Sequence, residues 1–579
     1  MEIEIGILLV LVFGGGVFLW QKVEARGDRN RRREQRKEEF GKDPRELSCG
    51  KRSREFLAEV AVYYEERKEQ GGEGLSGEEN FIDDVTWNDL DMDELFLRVN
   101  HTKSYIGEQV LYRRLHETKE RDWEKWEEHL SYFSEKEEER EELWEALWRI
   151  GKEREAYYLP MFLKNAAGIA VEHLWVYRML QILLFGGLAA GILSANPLFF
   201  GISGVTALIN VSVYVMSKDK YEVYLYSLGS VRELLAFHKL LAKREEWRKL
   251  FVTEELITAW ERTKDLWNSI GKYQGKKRAA LSGDAFAVFA DYLNGATLRD
   301  ITAFGHIAKQ LTEKERELFL LYEAAGEIDL EIAVSSFRKS LAVWCVPELR
   351  GQDKTAGTAH RKGQSSPKEK DALRAKGLYH PLLKHPVRND FTPEGCCLIT
   401  GANATGKSTF GKAVAVNAIL AQTIHTCTAE SFSMQKMRVL TSMAVRDDLV
   451  EGKSYYIREI SYLKRIVDAV GGSLPVLCII DEILRGTNTP ERLAASEVIC
   501  RYLAGKNCLA VVATHDMELT RRLSAEYRCY YFTSGIEGNE VCFDYRIHEG
   551  VGENRNAIKL LGLMGFPEEI VTMAQAICG

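Results

Sequence analysis

Residues 396–409 read Cys-Cys-Leu-Ile-Thr-Gly-Ala-Asn-Ala-Thr-Gly-Lys-Ser-Thr. An apolar run, Cys397 to Thr400, leads into Gly401-x-x-x-x-Gly406-Lys407-Ser408, and a helical pattern follows from Thr409 to about Gln422. Strand, glycine loop and helix in that order make a phosphate site. Glycines let the backbone curl until successive N–H groups point at one anion. The helix N-terminus adds partial positive charge. Gly401, Ala402, Asn403, Ala404, Thr405, Gly406, Lys407, Ser408 and Thr409 are therefore expected to hold a nucleotide. Lys407 would reach the β- and γ-phosphates, and Ser408 would ligate Mg²⁺.

Two further apolar runs point to the same chemistry. Val476-Leu-Cys-Ile-Ile-Asp481-Glu482 is a strand ending in two acids. Asp481 would hold Mg²⁺, directly or through water, and Glu482 would polarise the attacking water. Leu509 to Thr514 is a third strand, ending at His515-Asp516. If the three strands are parallel, His515 stands at the sheet edge where ligands bind and can sense the γ-phosphate. Between the second and third strands lies Arg485-Gly-Thr487-Asn488-Thr489-Pro490, before a helix from Leu493 to Leu503. Thr489 is expected to cap that helix, with Pro490 at its first position. A polar loop at a helix N-terminus is a second anion site. Thr487, Asn488 and Thr489 can serve the nucleotide of a second subunit.

Working toward the N-terminus, Arg350 to Lys370 is a polar linker rich in Gly, Lys and Ser. Lys220 to Leu349 reads as helix throughout, and Glu117 to Glu155 as long, mostly solvated helices. Between them an apolar zone, Met179 to Met216, divides at Ser194-Ala-Asn-Pro197 and carries no charge. Two transmembrane helices joined by a tight turn fit it, and so does a buried hairpin in a soluble core. Ile5 to Trp20 is nearly all apolar and is followed by eight Lys and Arg residues between Lys22 and Lys37. An uncleaved anchor with its basic flank in the cytoplasm is expected there, because a basic region before the apolar run and a small-residue cleavage site after it are both missing.

With 45% hydrophobic and 28% charged residues the chain is globular, and 579 residues call for several domains. The net charge of −7 argues against a uniformly basic nucleic-acid binder. Eleven cysteines without a C-x-x-C pair read as reduced, buried thiols.

The motifs Gly-Ala-Asn-Ala-Thr-Gly-Lys-Ser-Thr (401–409), Ile-Asp-Glu-Ile-Leu-Arg-Gly-Thr-Asn-Thr (480–489) and Ala-Thr-His-Asp-Met-Glu-Leu (513–519) closely resemble the ATPase domain of the MutS family of mismatch-repair proteins. His380-Pro-Leu-Leu, Asp447-Asp448 with Glu459, and Tyr545 to Ile570 resemble other parts of that domain. Leu97 to Gly107 resembles the start of the family's core lever domain, and Gly326-Glu-Ile-Asp329 to Pro347 its end. The resemblance implies an α/β ABC-type P-loop ATPase domain at 373–579, behind an all-α lever domain at 81–349. The expected divisions are an anchor at 1–22, a basic helical linker at 23–80, the two lever spans at 179–216 and a polar linker at 350–372.

The family also implies Mg-dependent ATP hydrolysis by a homodimer, each nucleotide lying between one subunit's phosphate loop and the other's Thr487–Thr489 loop. Three departures qualify this. Asn488 stands where the family usually has serine. An apolar hairpin occupies the place of a DNA-gripping clamp. The family's Phe-x-Glu mismatch reader is matched only by the letters of Phe133-Ser-Glu135. The expectation is a membrane-attached MutS-like ATPase without the mismatch-recognition domain, held at the cell membrane through 5–20 and 179–216 with its ATPase in the cytoplasm. It would bind mismatch-repair-like or branched DNA under nucleotide control. The alternative is an ATP-driven membrane machine or scaffold with no DNA role.

Overall fold

The computed structural model describes residues 34, 36–47, 54–70, 80–169, 171, 173–222, 225–280, 293–350, 372–402, 404–443, 455–537, 540–552 and 565–578. The apolar run Ile5–Trp20, the polar linker, Asn403, Asp447-Asp448 and most of the tail after Gly552 lie outside them.

Up to Lys339 the described chain is helical. The helices that matter below are α1 (Arg54–Gln70), α2 (Asp84–Asp89), α3 (Tyr105–His116), α4 (Trp123–Glu135), α5 (Leu174–Ser194), α6 (Pro197–Glu222), α7 (Arg299–Glu313) and α8 (Glu315–Lys339). The two segments expected to open and close the lever region meet at α3 and α8. Small residues let the two helices approach: a Cβ at Gly326 would stand 2.3 Å from Val110, and one at Gly107 2.3 Å from Asp329. Asp329 is fully buried and accepts from Lys103 N (2.9 Å), Ser104 N (2.8 Å) and Ser104 Oγ (2.6 Å). It thereby pairs the two N–H groups just ahead of α3 and holds Ser104, whose Oγ caps the helix by accepting from Gly107 N (3.0 Å). Phe133 is buried and stacks on Phe251 at 5.2 Å. It is a core residue and reads nothing.

The second half is α/β with mixed sheets. Strands β1 (Glu348–Arg350), β2 (Leu373–Leu378), β3 (Asn389–Phe391) and β5 (Ser431–Gln435) form one sheet in the order β1-β5-β2-β3. The other has the order β10-β9-β4-β8-β7-β6, from β4 (Cys397–Thr400), β6 (Arg438–Ser442), β7 (Val476–Asp481), β8 (Cys508–Ala513), β9 (Arg528–Glu537) and β10 (Glu540–Glu549). It is parallel except for β9–β10. Every residue of β4 is buried, as are the first five of β7. Burial on both faces explains why these strands read as unbroken apolar runs. The described cysteines are free thiols.

Polar contacts join the two halves. Arg338 at the end of α8 pairs with Glu127 of α4 and donates to Thr426 Oγ1 (2.9 Å) and the His425 carbonyl (2.8 Å). Asp89 of α2 accepts from Thr441 Oγ1 (2.7 Å) and Met443 N (2.9 Å) at the end of β6.

Helices α5 and α6 form an apolar hairpin, each long and apolar enough to cross a membrane by length and composition. Their apolar stretches are only 11% and 22% buried. A hairpin buried in a soluble core would show the reverse.

Candidate active site

Helix α9 (Lys407–Thr423) starts directly from the glycine loop. Gly401 has φ +148° and Gly406 φ +103°. A Cβ at Gly401 would come 2.9 Å from both the Phe532 carbonyl oxygen and Thr405 Oγ1, so side chains are excluded by contact as well as by dihedral. Ala404 is also left-handed, at φ +67°. Thr405 Oγ1 donates to the Ala402 carbonyl (2.8 Å) and braces the loop from inside. Lys407 is buried, and its Nζ donates to the carbonyls of Gly401 (2.6 Å) and Ala402 (2.9 Å). Burial pulls its pKa below the ordinary lysine range, against Asp481 and Glu482, which favour the charged form.

Strand order brings the acids to this loop. β8 lies between β4 and β7, and Glu482 N donates to the Ala513 carbonyl (2.9 Å) while Thr514 N donates to that of Ile399 (3.0 Å). The ends of the three strands therefore lie side by side. Glu482 has φ +63° and Leu484 φ +56°, uncommon values for residues with side chains. Strain held at such a position is frequent where a side chain must be aimed. Glu482 Oε1 is 2.8 Å from His515 Nδ1, and its Oε2 is 2.8 Å from Arg485 Nε. The bond to His515 holds the Glu482 carboxyl below its ordinary range against the effect of burial, with Arg485 adding to it. The same bond lifts His515 above the ordinary histidine range.

One cleft of about 1090 Å³ is lined by Gly401, Ala402, Ala404, Gly406, Lys407, Ser408, Thr409, Asp481, Glu482 and His515. Thr405 lies beneath it, fully buried. Thr487, Asn488 and Thr489 are not among its lining residues. In one respect that loop departs from expectation. Helix α11, which follows α10 (Tyr455–Ala469), runs from Thr489 to Ala504, and Asn488 caps it by accepting from Glu491 N at 3.1 Å. Thr489 is already helical, so the cap is one residue earlier, and Pro490 falls at the second helical position. Asn and Asp outrank Thr as caps.

Three contributors escape sequence reasoning. Arg485, in sequence a residue of the polar loop, reaches back to the Asp481 carbonyl (3.1 Å) and to Glu482. Tyr545 lines the cleft beside Gly406 from a left-handed position, φ +52°, where the β9–β10 register shifts. Asn389 pins that bulge, its Nδ2 donating to the Tyr545 carbonyl (3.0 Å) and its Oδ1 accepting from Ile547 N (2.8 Å). The arginine's i,i+3 spacing to Glu482 was a usable signal. The only signal for the tyrosine is its place at the start of the family-like stretch 545–570, which says nothing of its aim, because the bulge that aims it is a product of strand pairing. Glu459, read as part of a middle motif, is buried on α10 and accepts from Arg485 N (2.9 Å).

Comparison with known proteins bears on the same residues. Residues 397–579 match the family model for MutS domain V. The DNA mismatch repair protein MutS of Natronomonas pharaonis is 28% identical over 315 residues, 51% of this chain and 36% of that protein. The MutS of Thermus aquaticus is 27% identical over 284 residues, covering 46% and 34%. That of Pseudothermotoga lettingae is 30% identical over 211 residues, covering 34% and 26%. The matched region thus spans about a third or less of each of these relatives.

Proposed function

Starting from a chain that belongs to the MutS family by its domain V and its mismatch-repair relatives, we propose a membrane-attached ATPase that hydrolyses Mg-ATP and engages DNA under nucleotide control. The observation that carries the ATPase reading is the meeting of Lys407, Asp481, Glu482 and His515 on one cleft at the edge of a parallel sheet. The residues present fit a magnesium nucleotide. Two left-handed glycines open a 17-residue helix, whose N-terminus favours anions. A buried ammonium, a hydroxyl and a carboxylate line the same space. Ser408 and Asp481 would hold Mg²⁺, which supplies charge neutralisation to the phosphates.

Each residue of the chain has a distinct task. The loop amides and Lys407 bind and orient the triphosphate. Glu482, kept ionised by His515 and Arg485, accepts the proton of the attacking water at a carboxylate oxygen. His515 lies beside that carboxylate and couples its protonation to the phosphate side of the cleft. Thr487, Asn488 and Thr489, which do not line their own cleft, would close the site of a second subunit, making the active unit a homodimer.

The exposed hairpin supports attachment to the cell membrane, with the ATPase on the cytoplasmic side, and the apolar run 5–20 would add to it. The same hairpin also favours the second reading, an ATP-driven membrane machine with no DNA role, because it takes the place of a clamp.

The deciding experiment has two arms. Glu482→Gln should bind ATP and turn it over at least about a hundredfold more slowly; unchanged turnover removes the assigned base. Duplex and branched DNA are then titrated against the full chain with and without ATP. Affinity that falls steeply with salt and responds to ATP supports the DNA role. An absence of binding at low salt leaves the membrane machine.

A further inference from the structure

The hairpin has an internal depth gauge. Gln181 lies about fourteen residues before Ala195 at the turn, and Asn210 about fourteen after Asn196. Gln181 Nε2 donates to the Thr297 carbonyl (2.8 Å), and Asn210 Nδ2 to that of Ala296 (2.7 Å). Asn210 is fully buried. These two bonds tether both helices at one level to the segment 293–298, which leads into α7. On the near side of that level one face of the hairpin touches protein, with Leu174 against Gly305, Tyr214 against Gly295 and Arg178 Nη2 2.6 Å from His306 Nε2, while Met179, Val215 and Met216 are exposed. On the far side no charged residue occurs from Ile182 to Ile209.

The far part is built for lipid. Ile192, Leu193, Leu198 and Leu208 are 72%, 88%, 66% and 71% exposed. In α5 only Leu184 and Gly191 are buried, so apolar side chains surround the helix instead of forming one stripe. A stripe would suit a second protein copy; an apolar surface on all sides suits acyl chains. The polar groups there are closed internally. Ser203 Oγ bonds to the carbonyls of Leu184 (3.2 Å) and Phe199 (3.0 Å), and Thr206 Oγ1 to that of Ile202 (2.8 Å).

Length decides how far it goes. Fourteen helical residues extend about 21 Å, and a hydrocarbon core is about 30 Å thick. To bring the turn across, the exposed Arg299, directly after the helical segment 293–297 and its turn at Leu298, would have to enter lipid as well. An embedded arginine opposes that. We propose that the hairpin enters the bilayer from one face and stops inside it, a re-entrant wedge seated in acyl chains down to the Gln181–Asn210 level. Exposed Arg178, Arg299, His306 and Lys309 then lie at the level of anionic headgroups, with Trp175 beside them. This rests on the membrane reading above and replaces two full crossings by a single-sided insertion.

The test uses the full chain reconstituted into phosphatidylcholine–phosphatidylglycerol vesicles. A fluorophore is attached through Ser194→Cys at the turn or, as a depth ruler, through Leu188→Cys; the unsubstituted chain gives the labelling background. Lipids brominated at different acyl positions should quench both probes most strongly toward the chain ends. From the Gln181–Asn210 level Leu188 lies about 10 Å and Ser194 about 20 Å deep, on either side of the midplane of a core about 30 Å thick, whereas a full crossing would put the Ser194→Cys probe nearest the headgroups. An impermeant thiol reagent on the opposite side of the membrane should leave Ser194→Cys unlabelled. Labelling from that side would overturn the wedge and leave membrane attachment standing. No quenching by any brominated lipid, with cross-linking between copies through Ser194→Cys, would sink both readings in favour of a protein–protein face.

Discussion

His515 Nδ1 lies 2.8 Å from Glu482 Oε1, joining residues that follow two neighbouring parallel strands. Each partner stabilises the other's charged form. The pair is therefore complete between the depressed titration of Glu482 and the raised titration of His515. Acid removes it by protonating the carboxylate, and base removes it by deprotonating the imidazolium.

That sign fixes the effect of His515→Ala on the pH–rate profile. Without its partner the Glu482 carboxyl titrates higher, so the acid limb of ATP hydrolysis should move to higher pH. The alkaline limb should lose the inflection due to the imidazolium. Steady-state rates from pH 4 to pH 9 check this. Superimposable profiles would mean that the bond plays no part in turnover.

Lys407→Met keeps the bulk of the side chain and removes the ammonium. Charge-assisted hydrogen bonds are worth about 1.5–3 kcal/mol, so affinity for Mg-ATP should fall about ten- to a hundredfold. Titration with a fluorescent ATP analogue measures it. A thermal melt of the same variant separates lost binding from a loop that has lost its bonds to Gly401 and Ala402.

Asp89 couples α2 to the end of β6. In Asp89→Ala the buried Met443 N–H and Thr441 hydroxyl lose their acceptor, at about 1–3 kcal/mol for each group left unpaired. The urea midpoint should drop accordingly. Asp89→Asn keeps one acceptor oxygen and should recover part of the loss. Equal midpoints for all three proteins would show that the contact contributes nothing.

Glu323 on α8 accepts from Tyr63 Oη (2.6 Å) on α1 and Arg113 Nη1 (3.1 Å) on α3, and also pairs with Arg67. Burial alone would raise its pKa, but Arg113 and Arg67 outweigh it and bring it down to about 2. A depressed carboxylate stabilises the fold above its unfolded pKa and loses that contribution as pH falls to the folded value. From near pH 4.5 to pH 2 the loss is up to about 3 kcal/mol. Glu323→Gln should therefore be less stable than the native chain at pH 7 and approach it at pH 3. Denaturant titrations at the two pH values test the convergence.

Much of the site was legible in consecutive residues. The expected strand Cys397–Thr400 is β4 to the residue, and Asp481 ends β7 as expected. Helix α11 is capped one residue before Thr489, the cap that the sequence suggests, because Asn488 and Thr489 are both competent caps and backbone geometry chooses between them. The lever segments were recognised separately, and nothing in their spacing said that Asp329 would close on Ser104, over two hundred residues away.

Consecutive residues alone specify the phosphate loop, the acid-terminated strand and the charge-free hairpin, because each depends on local dihedrals, strand burial or an unbroken apolar run. The reach of Arg485 to Glu482, the placing of Tyr545 over Gly406, the packing of α3 on α8 and the tether that limits the hairpin belong to the folded chain. Those features are set by strand order, helix approach and hydrogen bonds between distant segments, which exist only once the sheet and helices have assembled.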